Sequence, residues 1–414
     1  MPLPAPAERA LPSARAFVHA AFFAVALLAG SVPAHAIDGA ALMERYKEKA
    51  SKHGAIVAYD SLEATGDDSF TLHNLSLQGP EMADPLRLYK VTVRGARDVG
   101  EGGFSADAIT FSGLNFSTMD KEGRETTFTV DAGEGSGIYF PNPADFAAPL
   151  IAYDRSSLEI GNIKLLINGN PALSIDMVSG ETAIDKQTNI ARTEVQIGPI
   201  TFHVENIADL EAKNRFAELG IETIRLSIGI DGSWNMESGN LDLRDYTIDA
   251  PQFGKLTMGW AIDGYTEKVA TALRNAMAEL NATDEDDSEA RKAATRKLMD
   301  LLGRLKLVRG KISYVDNSFA GLVLDLKAKE MDIGRQDLVA GVADAARGMA
   351  QALDDPEFLA ILDQAIRAFL SDPKSLQIKL EPQAPVAVTD IFGAAILSPG
   401  TLIEKLGVKI VANE

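Results

Sequence analysis

An apolar motif with one displaced step recurs along this chain. In FTLHNLSL, residues 70–77, Phe70 and Leu72 alternate as in a strand, but the next apolar pair comes one residue late. Successive strand residues point to opposite faces of a sheet. The second apolar pair would therefore point to the other face than the first, unless the strand absorbed one extra residue. The motif Φ-x-Φ-x-B-Φ-x-Φ, with Φ apolar, occurs with these residues at B: Asn74, Lys90, Gly113, Asn162, Pro199, Asp245 and, in a weaker copy, Glu330.

The residue types at B favour a β-bulge. Asn, Gly and Asp tolerate the unusual backbone of a bulge, and Pro is accepted in strands mainly at edges or bulges. Lys90 and Glu330 do not fit this explanation. The alternative is that each strand bends and gives its two halves to different cores. We therefore predict bulges or bends at the four best-fitting B positions, Asn74, Gly113, Asn162 and Pro199.

Polar residues between the apolar positions predict antiparallel strands with one wet face. Thr71, His73 and Ser76 fill these places in the first copy, whereas buried parallel strands read as continuous apolar runs. The alternation at Leu322, Leu324 and Leu326 predicts a further strand that continues to residue 333. The glycine-rich stretch DAGEGSG, residues 131–137, predicts a hairpin turn.

Helical patterns interrupt the strands. Helices are predicted at 40–53, ending at Gly54, at 207–219, ending at Gly220, within 264–304, and at 335–353. Asp355 and Pro356 have the residue types of an N-cap and a first helical residue, so they predict a further helix that extends to about residue 370. The C-terminal part adds strands at 376–382 and 408–412, with a short helix between Ser398 and Gly407. The fold class predicted is α+β: a long, twisted, mostly antiparallel bulged sheet with helices packed on it and a helical C-terminal cap. The helices at 264–304 and 335–370 are expected to cover apolar sheet surface.

Four segments are predicted: a signal peptide at 1–36, an N-terminal helix with a β-meander at 37–263, a helical pair and a β-hairpin at 264–334, and a helix-rich cap at 335–414. Two arginines precede the apolar run FVHAAFFAVALLAG, and Ala34-His35-Ala36 is a small-x-small cleavage site. The alternative is an uncleaved membrane anchor, although the run is shorter than the ~20 residues of a spanning helix. We expect cleavage after Ala36, a periplasmic location and no transmembrane helix afterwards.

Composition narrows the function classes. A net charge of −19 opposes binding to nucleic acid, whose phosphates are also negative. The chain has no cysteine, so it has no disulfide, no thiolate chemistry and no lipid-bearing thiol. Its 46% hydrophobic residues suffice for a substantial core.

Residues with catalytic potential are few. His53, His73 and His203 do not have the spacing of a zinc site. Ser371 and Lys374 match S-x-x-K, but the motif follows a predicted helix instead of opening one. The acidic run DEDDSE, 284–289, lacks the glycine of a calcium-binding loop and reads as a linker. No enzyme, cofactor or metal site is predicted.

The recurring strands, such as ITFSGLNF and LEIGNIKL, follow a signal segment and a helix. Over about 55–334 this pattern resembles AsmA-like bacterial envelope proteins. The resemblance implies long curved sheets whose concave apolar face holds lipid acyl chains. The chain departs from that family in having no retained membrane helix, in its shorter length and in its helical cap. Its C-terminal part is similar to uncharacterised exported alphaproteobacterial proteins.

Two functions follow as expectations. The first is a non-enzymatic periplasmic protein that binds or transfers lipid or another apolar ligand along the sheet, with a groove or core lined by Leu72, Leu88, Phe111, Ile160 and Leu243. The second is a structural or partner-binding envelope protein with a closed core and no ligand. An enzyme is the third and least supported class. Whether helices cover the apolar strand faces separates the first two.

Overall fold

A computed structural model describes residues 35–36, 38–52, 54–80, 82, 84–98, 104–119, 123–140, 155–206, 210–283 and 288–414. The chain forms two compact units, one reaching Asn170 and the other running from Pro171 to Glu414. Residues 1–34, which hold nearly all of the predicted signal peptide, lie outside the described residues, as do His53 and most of DEDDSE.

Among its described residues, the first unit contains one helix and nine strands. In chain order they are β1 (His35–Ala36), α1 (Gly39–Lys52), β2 (Ile56–Ala58), β3 (Ser61–Gly66), β4 (Ser69–Gln78), β5 (Leu86–Arg94), β6 (Arg97–Asp98), β7 (Phe104–Met119), β8 (Glu125–Phe140) and β9 (Arg155–Ile167). Every pairing among them is antiparallel. Strands β4, β5, β7, β8 and β9 are neighbours in that order, β2 and β3 pair with β4, and β6 joins β1 to β7.

In this sheet the irregular spacing of the motif corresponds to interruptions of the strand pairing, and these interruptions line up from strand to strand. Strands β7 and β8 lack a pairing at Asp107 and Gly137. In addition, between each pair of neighbouring strands from β4 to β9, the pairing is interrupted at one shared position and resumes in the same register. The interrupted positions face one another across the sheet, and we call them the interruption row: Asn74, Tyr89, Gly113, Asp131 and Asn162. On alternate strands the residue is left-handed, with φ of +53° at Asn74, +65° at Gly113 and +55° at Asn162.

The interruption row keeps the apolar residues on one face. Leu72 and Leu75, on either side of Asn74, are both buried, although simple alternation would have turned one of them outward. Bulges or bends at Asn74, Gly113 and Asn162 are thus confirmed. Lys90, one of the B residues that did not fit the bulge explanation, pairs with His73 and Ser112, and the interrupted residue of β5 is its neighbour Tyr89.

The core of the first unit lies on this apolar face. Phe70 is 1% exposed and lies against the start of α1, where a Cβ on Gly39 would be 2.5 Å from its ring. The glycines of DAGEGSG do not form the predicted hairpin turn; they lie inside β8. The physical reason is close packing, since a Cβ on Gly133 would come within 2.4 Å of the Phe111 ring, and one on Gly137 within 2.2 Å of the Arg155 carbonyl oxygen.

The second unit alternates strands with helices. Its elements are β10 (Asn170–Asp185), β11 (Ile190–His203), a 3-10 turn (Val204–Asn206), α2 (Leu210–Glu218), β12 (Thr223–Asn235), β13 (Leu241–Ala250), β14 (Gly254–Asp263), α3 (Glu267–Ala282), α4 (Ser288–Leu302), β15 (Lys306–Asp316), α5 (Phe319–Met331), α6 (Arg335–Ala350), a 3-10 turn (Gln351–Leu353), α7 (Pro356–Ser371), β16 (Ser375–Leu380), β17 (Val386–Ala387), α8 (Val388–Leu397), α9 (Thr401–Leu406) and β18 (Val408–Ala412). Strands β10 to β15 pair consecutively and antiparallel, β16 and β17 pair with β15, and β18 pairs with β16.

The strand predicted across 322–333 is wrong, because residues 322–331 belong to α5 and Asp332 is the C-cap of that helix. The predicted hairpin at the end of the 264–334 segment is therefore one strand followed by a helix. Leu324 and Ala328, four residues apart, are the buried residues of α5, so the apolar residues also fit a helical period. Asp316 Oδ1 accepts from Ala320 N at 2.8 Å and so stabilises the first turn.

The other helices agree with the sequence patterns. The main-chain N–H of Phe358 donates to Asp355 Oδ1 at 3.0 Å, so Asp355 caps α7 as predicted, with Pro356 as the first helical residue. Helices α3 and α4 pack on each other through a cluster of buried apolar residues: Val269, Leu273, Ala276, Leu301 and Leu305. Helices α5 and α6 pack together through Leu324, Ala328, Leu338 and Val339.

The fold is α+β with open antiparallel sheet and packed helices, as predicted. In the described part of the chain, none of the helices combines the length and apolar character needed to cross a lipid bilayer.

Candidate functional site: the apolar face of the second sheet

One face of the second unit's sheet carries apolar side chains across neighbouring strands. Residues directly opposite each other on antiparallel strands project from the same face. The central row consists of Val195, Ile230, Tyr246, Met258, Ile312, Ile378 and Ile410. One flanking row consists of Ile197, Ile228, Ile248, Leu256, Tyr314, Leu376 and Ala412, and the other of Leu243, Trp260, Leu380 and Val408. We call these three rows the apolar face.

Bulges keep the three rows on the same side. The β11–β12 register shifts between Ile197 and Ile200, around a cis peptide between Gly198 and Pro199, which confirms the bend predicted at Pro199. In β13, Leu243 and Tyr246 keep partners on β14 while the two residues between them bulge.

The second bulge depends on a glycine. Gly259 lies opposite the bulged pair Arg244 and Asp245, and a Cβ at this position would be 2.5 Å from the carbonyl oxygen of Arg244. The predicted B residue Asp245 is thus part of a bulge, which leaves Leu243 and Tyr246 on one face.

The apolar face is incompletely covered. Most of its side chains are half-buried, but Trp260 is 37% exposed and Ile312 is 48% exposed. Leaving apolar surface in water costs about 25 cal/mol per Å². Contiguous exposed apolar surface on a folded protein commonly marks a binding site.

Helices contact this face at its two ends. At one end Ile262 and Tyr265 pack against the α3–α4 cluster, and Trp234 Nε1 donates to the main-chain oxygen of Tyr265 at 2.6 Å. At the other end the Phe369 ring of α7 lies edge-on to Tyr314, with ring centroids 6.1 Å apart. Ile312 lies between these two contacts along the strand direction, which explains its exposure.

The α7 end is held by hydrogen bonds around Tyr314. Its hydroxyl donates to Asp316 Oδ1 at 2.8 Å and lies 3.2 Å from the main-chain oxygen of Phe253. Burial, and secondly the hydrogen bond to Asp316, raise the pKa of Tyr314. The phenol therefore stays neutral at physiological pH and acts as a fixed donor.

The opposite face of the same strands is charged. Arg309 pairs with Asp242 at 2.5 Å, and Arg244 pairs with Asp231. The two faces of this sheet therefore differ in chemistry: one is suited to water and the other to an apolar ligand.

The five residues predicted to line a groove or core divide between the two units. Leu72, Phe111 and Ile160 lie in one cross-strand row of the first unit, through Val91 and Gly133. Leu88 lies in the next row, beyond the interruption row. Leu72, Leu88 and Ile160 are buried, and Phe111 is half-buried. Leu243 belongs to the apolar face of the second unit.

Sequence reasoning missed the importance of Trp260 and Ile312. The alternation from Leu256 to Ile262 indicates a strand containing Trp260, but it carries no information about which strand residues the helices leave exposed.

Residues with catalytic potential do not converge in the described part of the chain. His73 belongs to the first unit and lies 3.9 Å from Glu63, whereas His203 ends β11 in the second. Ser371 ends α7, and Lys374 pairs with Asp372 at 2.7 Å. Among the described residues, no group of three or more His, Asp or Glu side chains is placed to hold a metal ion.

A shallow cavity of about 360 Å³ lies near the start of β12. It is lined by Gly220, Ile221, Glu222, Thr223, Gln252, Phe253, Ser318 and Leu322. Among these described lining residues Glu222 is the one with an ionisable side chain, so they offer no acid–base pair for catalysis.

Comparison with known proteins gives one family match. Residues 247–413 match the model of a family described as "Uncharacterized protein". The matched residues run from the end of β13 to β18, so they include Trp260, Ile312 and the last strands of the apolar face. No curated protein matches the chain.

Proposed function

We propose that the protein is a non-enzymatic component of the periplasmic envelope that binds lipid, or a similarly apolar molecule, on the apolar face of its second unit. The occupant we assign is an acyl chain, a flexible apolar rod that can lie along neighbouring rows of Ile, Leu, Met and aromatic side chains. The periplasmic location rests on the sequence of residues 1–36.

One observation carries the proposal: the apolar face spans many strands, yet it is partly exposed at Ile312 of the central row and Trp260 of a flanking row. An acyl chain laid over these residues would remove apolar surface from water on both partners. The charged opposite face keeps its contact with water when the ligand is bound.

The alternative function is a structural or partner-binding envelope protein with a closed core. The first unit favours it, because Phe70, Leu72 and Val93 are nearly inaccessible to water. We prefer the ligand-binding function because a closed core does not explain the exposure of Ile312 and Trp260.

The test begins with the native protein. Purification without detergent, solvent extraction and mass spectrometry should detect a co-purifying lipid, and the emptied protein should bind a fluorescent fatty acid. A wild-type protein with neither extractable lipid nor probe binding would exclude the proposal.

A matched pair of variants on β15 places the site. Ile312 and Val315 are 48% and 45% exposed, but they point to opposite faces because they are three residues apart on one strand. Ile312→Asp should weaken probe binding at least about tenfold, since a carboxylate would lie under the acyl chain. Val315→Asp should leave it unchanged. Equal effects in two folded variants would place the ligand elsewhere.

A further inference from the structure

The C-terminal part of the second unit has an exposed apolar end away from the centre of the apolar face. In α8, Phe392, Ile396 and Leu397 are 52%, 80% and 84% exposed. Phe392 and Ile396 lie on one side of the helix because they are four residues apart, while Ala394 is buried. This helix thus exposes its largest apolar side chains and buries one of its smallest.

The C-terminal end of α6 lies close to the link that follows α8. The link from α8 to α9 packs against the turn after α6, where a Cβ on Gly400 would be 2.6 Å from the Leu353 carbonyl oxygen. Met349, four residues before Leu353, is 84% exposed. We call Met349, Phe392, Ile396 and Leu397 the apolar end.

Charge is absent from this part of the sequence. The thirteen residues IFGAAILSPGTLI, 391–403, contain no Asp, Glu, Lys or Arg, in a chain of net charge −19. Asp390 precedes this segment and Glu404 and Lys405 follow it, and Lys405 pairs with Asp390 at 3.3 Å. The segment itself therefore brings no charge into the apolar end, and Glu404 is the acidic residue that directly follows it.

A row of lysines lies just beyond α9. Lys311, Lys379 and Lys409 face one another directly on β15, β16 and β18, and Lys409 follows the helix-ending Gly407 by two residues. Like charges directly opposite each other destabilise a sheet. Lys409 pairs with Glu381 at 2.6 Å, but within the described residues neither Lys311 nor Lys379 forms an ion pair.

We propose that the apolar end and this lysine row form a docking surface for a membrane that contains anionic phospholipids. The apolar side chains would enter the region between headgroups and acyl chains, and the lysines would contact lipid phosphates, a combination typical of peripheral membrane proteins. The lysines matter because the net negative charge of the whole chain opposes approach to an anionic surface. Membrane docking goes beyond the proposed ligand site and is tested separately.

Flotation of the full chain with two kinds of vesicle tests the proposal: phosphatidylcholine alone, and phosphatidylcholine mixed with phosphatidylglycerol. The wild type should partition more strongly onto the mixed vesicles. Lys311→Gln with Lys379→Gln should reduce that partition by about fivefold per lysine and leave binding to phosphatidylcholine unchanged.

Two methionines provide a matched pair for the apolar end. Met349 and Met331 are both exposed, but Met331 ends α5, just before α6 begins, whereas Met349 lies at the other end of α6, a helix about 24 Å long. Met349→Asp, and Ile396→Asp with Leu397→Asp, should each lower partition onto both kinds of vesicle by about tenfold, whereas Met331→Asp should not.

The fluorescent fatty acid separates this proposal from the ligand site. Variants of the apolar end should keep wild-type probe affinity, so loss of vesicle binding with intact probe binding supports docking through this surface. Absence of wild-type flotation with both kinds of vesicle would overturn the proposal. So would self-association, in light scattering, that Met349→Asp abolishes while flotation is unaffected; that result would assign the apolar end to a second copy of the chain.

Discussion

The two units are built from the same kind of strand, but the apolar face is closed to water in the first unit and partly exposed in the second. In the first unit the apolar rows are closed to water, with Phe70 and Leu72 exposed by 1% and 2%. In the second unit the equivalent rows stay half-buried and leave Ile312 and Trp260 substantially accessible. Both units are built from antiparallel strands with the same apolar motif, so the motif alone does not decide whether an apolar face becomes a core.

The difference lies in what packs on each face. In the first unit, α1 brings Leu42 and Met43 into the core near Phe70. In the second, the largest helix contacts are between helices: α3 with α4 and α6 with α7. A helix that packs on another helix leaves less of its own surface to cover a sheet, and this allows the second unit to keep an accessible apolar face.

Truncating one large side chain in each unit should give the largest contrast. Phe70→Ala should lower the free energy of unfolding by about 3–5 kcal/mol, because it leaves a cavity in a closed core. Ile312→Ala should cost only about 1 kcal/mol, because nearly half of that side chain already contacts water. Urea denaturation of both variants measures the two losses. Equal losses would mean that the second face is as closed as the first.

Adding one methyl group to each sheet should have a smaller effect. In the first unit, Gly133→Ala places a Cβ 2.4 Å from the Phe111 ring, whereas in the second, Gly180→Ala places one 3.6 Å from Val195. Overpacking should destabilise the first variant by about 1–3 kcal/mol, and the second should differ little from wild type. A stable Gly133→Ala variant would show that the Phe111 ring moves freely, contrary to a packed core.

The smallest expected effect concerns the interruption row. Asn162 has a φ of +55°, so Asn162→Ala should cost about 1 kcal/mol, while Asn162→Gly should be nearly neutral. At the bulge of the second unit Asp245 is not left-handed, so Asp245→Ala should differ little from Asp245→Gly. Thermal unfolding of the four variants makes the comparison. A neutral Asn162→Ala would mean that backbone conformation does not fix the row.

Much of the fold could be predicted because its signals are local. Asn74, Gly113 and Asn162 reveal the interruptions, since these residue types favour the left-handed backbone. On β5 two neighbouring residues, Tyr89 and Lys90, are candidates for the interrupted position, and neither adopts a positive φ. Residue type is therefore uninformative there, and only pairing with β4 and β7 identifies Tyr89.

The regions that were predicted wrongly are also ones in which the local sequence is ambiguous. In α5, the residues from Leu322 to Leu326 satisfy strand and helix periods alike, so a short window cannot separate them. The glycines of 131–137 are characteristic of turns, but Gly133 is required by the Phe111 ring of a neighbouring strand. The candidate site is harder still to predict, because the exposure of Ile312 and Trp260 depends on where distant helices pack.

The interruption row also determines how such a sheet can change in length over evolution. Strands β4, β5, β7, β8 and β9 each supply one residue to the row, and the register on either side is the same. Inserting a single residue into one strand would turn half of its apolar side chains into water. A whole hairpin carrying the motif on both strands can be duplicated or lost while the remaining strands keep their register. Sheets of this kind can therefore diversify by gaining or losing hairpins, and the number of strands can differ between relatives that share the same interruption row.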